Sequence, residues 1–219
     1  MHDIIEFFKK ICDAQYLVTI GYAGMAAIIF SETGLFFGFF LPGDSLLFAA
    51  GMACADGNTL HEIANLDLLK LNLCLIPAAI IGDSVGYWIG FRAGKGMYNR
   101  EKTFLFRRDH LLATKAFYEK HGGKTIVMAR FVPLIRTFAP VVAGIAQMRY
   151  RDFIFYNIAG GIGWIISISC AGYFLGGIPF FQKHIEASIV MIVFVSVLPI
   201  VITFIKARYF SQKAAQEKA

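Results

Sequence analysis

The 219-residue chain has too few charged residues to form the surface of a water-soluble protein. Hydrophobic residues make up 57% of it and charged residues 16%. Its 21 basic and 15 acidic residues, with a formal net charge of +6, lie almost wholly outside a few long apolar runs. Each run has about the 20 residues with which a helix crosses a bilayer, or more. The composition excludes a soluble enzyme and predicts an all-α integral membrane protein.

Residues 1–21 are predicted to form an amphipathic or partly spanning helix. Asp3 and Glu6 precede the first lysines, and no short apolar core is followed by a small-residue cleavage site. We therefore expect no secretory signal peptide and a retained N-terminus.

The first long apolar run is interrupted near its middle. It contains two acids, Glu32 and Asp44, and the pair Pro42-Gly43 stands between them. Proline removes a backbone donor and glycine relaxes a helix, so one helix should end here and Asp44 can cap the next. Broken backbone is tolerated at membrane depth only where it is buried in protein or lines a wet cavity. Residues 30–50 are therefore predicted to form a re-entrant helical hairpin.

A longer apolar helix over 71–91 contains Asp83, and a basic loop over 92–124 follows it. The loop has nine basic residues against three acids, whereas the charged residues of 51–70 are three acids and one lysine. Because cytoplasmic loops carry the excess of Lys and Arg, we expect 92–124 inside and 51–70 outside. The middle of the loop also fits an amphipathic helix on the anionic inner leaflet.

The second interrupted run lies at 125–146. Pro133 and Pro140 stand seven residues apart, and Arg130 and Arg136 precede them by three and four residues. An unbroken lipid-facing helix does not carry this pattern. The run is predicted to form a second re-entrant hairpin, broken at both prolines.

The two interrupted runs occupy matching places in the chain. Each is followed by a longer apolar helix, over 71–91 and then from 153 to 176. This arrangement predicts an inverted-repeat-like helical bundle over 22–182, with about three to five full transmembrane helices. Sequence similarity between the halves is limited to Ala50-Gly51 against Ala143-Gly144. We expect a C-terminal transmembrane helix over 183–206 and a basic cytoplasmic tail over 207–219.

Five charged residues lie inside the apolar runs: Glu32, Asp44, Asp83, Arg130 and Arg136. Charges within a membrane are costly and usually functional. Arginine offers a planar fork of donors that matches phosphate geometry, so Arg130 and Arg136 are predicted to bind a lipid phosphate. A buried carboxylate can hold a proton in one state and pair with an arginine in another, so the three acids are candidates for proton coupling.

A structural role for these charges stays open. Glu32 and Asp44 could be permanent partners of the arginines that hold the hairpins together. Asp83 has Ser84 and Tyr87 as neighbours that could satisfy it in a helix contact. Trp164 is expected to be an interface or packing aromatic rather than a ligand contact.

Enzymatic and cofactor chemistry is not expected. The chain lacks a nucleophile, base and orienting residue at catalytic spacing, and its five histidines lie outside the core runs. The four cysteines are scattered and show no metal-ligand spacing. The basic loop is not interleaved with aromatics at base-stacking spacing, so nucleic acid is not an expected partner. We expect no metal and no cofactor.

The charged and broken segments resemble the DedA family of bacterial inner-membrane proteins, also described by the SNARE-associated or VTT domain. The likeness looks closest to the protein that gives the family its name. It spans roughly residues 25 to 180 and rests on these residues: Glu32-Thr33-Gly34, Pro42-Gly43-Asp44, Gly82-Asp83 with Tyr87, the stretch 117–124, the run 130–144, and Gly160 with Trp164.

The resemblance implies a multi-pass lipid transporter of the inner membrane with two facing re-entrant hairpins. It implies that Glu32, Asp44, Arg130 and Arg136 are required. The expected function is a proton-coupled flippase that moves undecaprenyl phosphate to the cytoplasmic leaflet. A flippase or scramblase for phosphatidylethanolamine or another glycerophospholipid is the alternative, and a lipid-phosphate enzyme or a structural membrane protein is the weaker one.

Overall fold

The computed structural model describes residues 20–35, 43–56, 61, 65–98 and 124–183. Every regular element in these ranges is a helix and they contain no β-strand, as the sequence predicts. Their helices are α1 (Gly21–Gly34), α2 (Gly43–Ala53), α3 (Leu68–Tyr98), α4 (Lys124–Arg130), α5 (Pro133–Ile145), α6 (Tyr150–Gly176) and α7 (Pro179–Lys183).

Several sequence predictions fall on other parts of the chain. The N-terminal helix over 1–21, apart from its last two residues, lies outside the described residues, and so does Pro42. So do most of the basic loop, the C-terminal helix over 183–206 apart from its first residue, and the tail over 207–219.

Helices α3 and α6 are long and apolar enough to cross a membrane. Leu68–Lys95 has a mean hydropathy of 1.6 and Tyr150–Gly176 one of 1.7. They are the two such helices in the described ranges. Helices α2 and α5 have 11 and 13 residues, too few for a bilayer core of about 30 Å. The number of membrane crossings, and the re-entrant course of the short helices, stay predictions.

Helix α3 is longer than the sequence indicates. It continues to Tyr98, so the first residues of the predicted basic loop are helical. Arg92 and Lys95 are exposed near its C-terminus, where cations interact favourably with the helix dipole and long side chains reach water.

Proline breaks the second apolar run once, at Pro133. Helix α4 ends at Arg130, Val132 is extended (φ −113°, ψ 104°), and Pro133 begins α5. This follows from proline, which forces the preceding residue toward extended backbone and suits the first helical position. The predicted break at Pro140 is wrong, because α5 continues through that residue. A proline inside a helix removes one N–H donor, and the buried surroundings of Pro140 tolerate that loss.

The long helices exchange partners between the two halves of the chain. Helix α3 packs on α1 from its own half and on α5 from the other, while α6 packs on α4 from its own half and on α2 from the other. Helices α3 and α6 also pack on each other. The buried charged residues of α1 to α5 are thereby brought toward one centre.

Glycines let α3 approach α5 closely, and they let α6 approach α2 in the same way. A Cβ on Gly90 would lie 2.1 Å from the Val141 carbonyl oxygen, and one on Gly172 would lie 2.2 Å from that of Phe48. The two interfaces correspond residue by residue. Tyr87, Gly90 and Gly94 of α3 correspond to Ser169, Gly172 and Gly176 of α6. Val141, Gly144 and Ile145 of α5 correspond to Phe48, Gly51 and Met52 of α2. The two halves therefore share one packing motif, in which Gly51 corresponds to Gly144 as the sequence suggests.

Large apolar side chains cover the outside of the long helices. Leu69 and Leu73 of α3 and Phe155 and Phe174 of α6 are 65–71% exposed. A soluble protein rarely exposes so much apolar surface. The outer faces of α3 and α6 are suited to contact with lipid.

Candidate functional site

All five charged residues that the sequence places inside apolar runs are buried in the structure, with exposed fractions of 2–9%. The three acids, Glu32, Asp44 and Asp83, come from α1, α2 and α3. Both arginines, Arg130 and Arg136, come from α4 and α5. Each ion pair among them therefore joins the first half of the chain to the second.

Arg136 pairs with two carboxylates. Its Nη2 donates to Glu32 Oε1, and its Nη1 donates to Asp44 Oδ1 at 2.5 Å. Arg136 lies in the first turn of α5, next to the break at Pro133, and Asp44 lies in the first turn of α2. The helix breaks thus bring the three side chains together, and Asp44 also suits a helix N-terminus electrostatically.

Trp164 of α6 contacts both members of the Arg136–Asp44 pair. Its indole Nε1–H donates to Asp44 Oδ1 at 2.9 Å. The Arg136 guanidinium carbon lies 4.3 Å from the centroid of the Trp164 ring, and that of Arg130 lies 6.0 Å from it. These are cation–π distances. Trp164, expected to be an interface or packing aromatic, is buried against these charged groups. We call the five buried charged residues together with Trp164 the charged cluster.

Arg130 forms a second group of contacts. Its Nη2 pairs with Asp83 and also donates to Asn157 Oδ1 at 2.5 Å. The Asn157 amide in turn donates to the Ile80 carbonyl at 3.1 Å. A Cβ on Gly161 would lie 2.8 Å from Arg130 Nη1, so a glycine there leaves space for the guanidinium.

Glycine also makes room for Glu32. A Cβ on Gly43 would lie 1.5 Å from Glu32 Oε2, so this carboxylate oxygen occupies the space of the missing side chain at the start of α2. The neighbouring Thr33 hydroxyl donates to the Ile29 carbonyl at 2.9 Å. Gly43, predicted as part of a hairpin break, is the first residue of α2 and a contact of Glu32.

The cluster keeps unused donors and an unbalanced charge. Within the described ranges, Arg130 Nε, Arg130 Nη1 and Arg136 Nε have no hydrogen-bond partner although they are buried. Three carboxylates face two guanidinium groups, so the cluster with every group ionised has a formal charge of −1. Such an arrangement has donors for an anion, and one proton would neutralise it.

The structure brings together all the predicted charged residues but pairs them differently. Asp83 pairs with Arg130 and not with its sequence neighbours: Ser84 donates to the Ile80 carbonyl and Tyr87 to that of Met148. Asn157 was not predicted. A polar amide in an otherwise uncharged apolar run is the signal that could have found it.

Comparison with known proteins assigns the family. Residues 41–174 match the VTT domain, a range that includes every cluster residue except Glu32. Protein DedA of Escherichia coli (strain K12) is 44% identical over 203 residues, which cover 93% of this chain and 90% of DedA. The chain belongs to the DedA family.

Two further DedA-family relatives are membrane proteins by name. An uncharacterized membrane protein of Mycobacterium tuberculosis (strain H37Rv) is 41% identical over 180 residues, 82% of this chain and 77% of the relative. Inner membrane protein YghB of E. coli (strain K12) is 32% identical over 198 residues, 88% of this chain and 83% of YghB. No solved structure matches the chain. The chain is therefore a DedA-family membrane protein.

Proposed function

We propose that this protein is a flippase of the bacterial inner membrane that returns undecaprenyl phosphate to the cytoplasmic leaflet, coupled to protons. The observation that supports it is the buried cluster in which Arg136 is held between Glu32 and Asp44. The inner-membrane location is taken from the relative YghB, which is named an inner membrane protein.

The arginines favour a phosphate as the cargo headgroup. A guanidinium offers a flat fork of donors to phosphate oxygens and stays charged. Three buried N–H groups of Arg130 and Arg136 lack acceptors among the described residues. A phosphate that enters the cluster can take these donors without first breaking every existing ion pair.

The excess of carboxylates favours proton coupling. A phosphate adds negative charge to a cluster whose formal charge is already −1. Because buried uncompensated charge is costly, the anion binds more readily when a carboxylate takes up a proton. The lipid leaves chemically unchanged, so we propose a carrier and not an enzyme.

Transport in proteoliposomes tests the function. The purified full-length protein should move undecaprenyl phosphate between leaflets, and Arg136→Ala and Arg130→Ala should each reduce the rate at least tenfold. Arg149→Ala is the matched control, because Arg149 is 85% exposed and pairs only at the surface with Asp152. Wild-type rates for properly inserted Arg136→Ala and Arg130→Ala proteins would contradict the proposal.

The same vesicles test the alternative cargo. Phosphatidylethanolamine also carries a phosphate that the arginines could bind. We expect undecaprenyl phosphate to move faster than phosphatidylethanolamine at equal concentration. Faster movement of phosphatidylethanolamine would replace the proposed substrate with a glycerophospholipid.

A further inference from the structure

The two carboxylates on Arg136 are not held equally. Asp44 Oδ1 accepts two hydrogen bonds, from Arg136 Nη1 at 2.5 Å and from Trp164 Nε1 at 2.9 Å. Glu32 Oε1 accepts one from Arg136 Nη2. Glu32 Oε2 meets no side-chain donor in the part of the chain that the structure describes. It lies against Gly43, whose backbone N–H is the other hydrogen-bonding group of Glu32 there.

This difference in hydrogen bonding determines which acid is left without a partner when Arg136 binds another anion. Asp44 Oδ1 would keep the indole N–H of Trp164, whereas Glu32 would keep no side-chain donor among the described residues and only the backbone N–H of Gly43. A buried ionised carboxylate that has lost its charged partner and its side-chain donor is strongly disfavoured. Glu32 is therefore the acid that must become neutral if it separates from Arg136.

The surrounding charges act in the same direction. The described charged groups that act on Glu32 are Arg136 of α5 and Asp44 of α2, and the Asp83–Arg130 pair of α3 and α4 completes the set of buried charges. Once a phosphate occupies Arg136, Asp44 and the phosphate are both negative neighbours of Glu32. Repulsion from two anions favours the protonated form of Glu32.

We propose, building on the proposed function, that the lipid phosphate replaces Glu32 as the partner of Arg136 Nη2 and that Glu32 takes up one proton from water. Asp44 stays ionised and keeps its hydrogen bond from Trp164. No covalent bond to the lipid forms or breaks. The new bond is the O–H of Glu32, and Arg136 exchanges a carboxylate acceptor for a phosphate oxygen. Trp164 is a positioning residue in this step, because it acts on the cargo through Asp44.

Proton uptake on lipid binding tests the assignment. Isothermal titration calorimetry of the full-length protein with undecaprenyl phosphate in detergent, repeated in buffers of different ionisation enthalpy, gives the number of protons taken up per lipid. Glu32→Gln should take up about one proton fewer than the wild type. Asp44→Asn should take up the wild-type number, and Glu32→Asp should restore it.

Substitution of Trp164 tests its positioning role. Trp164→Phe keeps an aromatic face for Arg136 but removes the donor to Asp44. Asp44 then also loses its partner when the phosphate binds, so proton uptake should exceed the wild-type number. Trp88→Phe is the matched control, since Trp88 is 47% exposed and its ring contacts are the aromatic residues Tyr87, Phe91 and Tyr150, and it should behave as wild type. Wild-type proton uptake in Trp164→Phe would show that Trp164 only packs in the cluster, and it would overturn the positioning role proposed for Trp164.

The remaining outcomes separate this inference from the proposed function. If Asp44→Asn loses the proton and Glu32→Gln keeps it, the two acids have opposite roles to those proposed. If both variants lose it, proton uptake requires both carboxylates, and if both keep it, either carboxylate serves; in either case the assignment to Glu32 alone fails. In all of these cases lipid binding persists and the flippase proposal stands. If the folded wild-type protein shows no binding to undecaprenyl phosphate, the proposed function fails and this inference fails with it.

Discussion

At the scale of single residues, Gly43 is needed for the position of Glu32 and not for folding. A Cβ there would lie 1.5 Å from Oε2 and 2.5 Å from Cδ of Glu32, and a glutamate side chain can turn away. Alanine is also favoured over glycine in a helix by up to about 1 kcal/mol. Gly43→Ala should therefore keep or raise the melting temperature in detergent yet reduce transport about tenfold or more. Gly163→Ala, whose Cβ would meet only Phe131 at 3.7 Å, should change neither, and normal transport by Gly43→Ala would show that Glu32 is not held as described.

At the scale of helices, the glycine interfaces of α3 with α5 and of α6 with α2 should respond alike to substitution. In Gly90→Ala and Gly172→Ala the new Cβ meets a backbone carbonyl oxygen at 2.1 and 2.2 Å, which cannot move without shifting a helix. Overpacking of this kind costs about 1–3 kcal/mol, so each variant should melt several degrees lower in detergent, and the two effects should add because the sites share no contact. Gly86→Ala is the control in the same helix, since its nearest neighbour is 3.5 Å away. A large loss in only one of the two interfaces would contradict their equivalence.

The helices themselves show what sequence could predict. The long apolar helices and the break at Pro133 depend on hydropathy and on proline geometry, which act within a few residues, and both were predictable. Pro140 was not, because whether a helix continues through proline depends on what surrounds it. The pairing of Asp83 with Arg130 and the contact of Arg130 with Asn157 join distant segments. Only the packing of α3, α4 and α6 determines them.

At the scale of the whole molecule, the described charges outside the cluster separate to opposite ends. The start of α6 lies beside the C-terminal half of α3, where Tyr150 and Trp88 are 5.6 Å apart between ring centroids, and exposed Arg92, Lys95, Arg149 and Arg151 lie in these two segments. At the other end, Asp56, Asp67 and Lys70 line one cavity with Tyr173 from the end of α6. Leu68–Lys95, with 28 residues, spans about 42 Å at 1.5 Å per residue, more than the bilayer core. The excess of arginine and lysine then predicts that the end with Arg92 and Arg149 faces the cytoplasm.

This orientation predicts the labelling of introduced cysteines. In intact cells and in a background with the four native cysteines replaced by serine, a membrane-impermeant thiol reagent applied outside the inner membrane should label Lys70→Cys. Arg92→Cys and Arg149→Cys should be labelled only after the inner membrane is permeabilised, and both should follow the same pattern because α3 and α6 are antiparallel. The reverse labelling pattern would show that the molecule has the opposite orientation in the membrane. The proposed direction of lipid movement would then have to be reversed. Labelling of Arg92→Cys and Arg149→Cys from opposite sides would contradict the packing of α3 against α6.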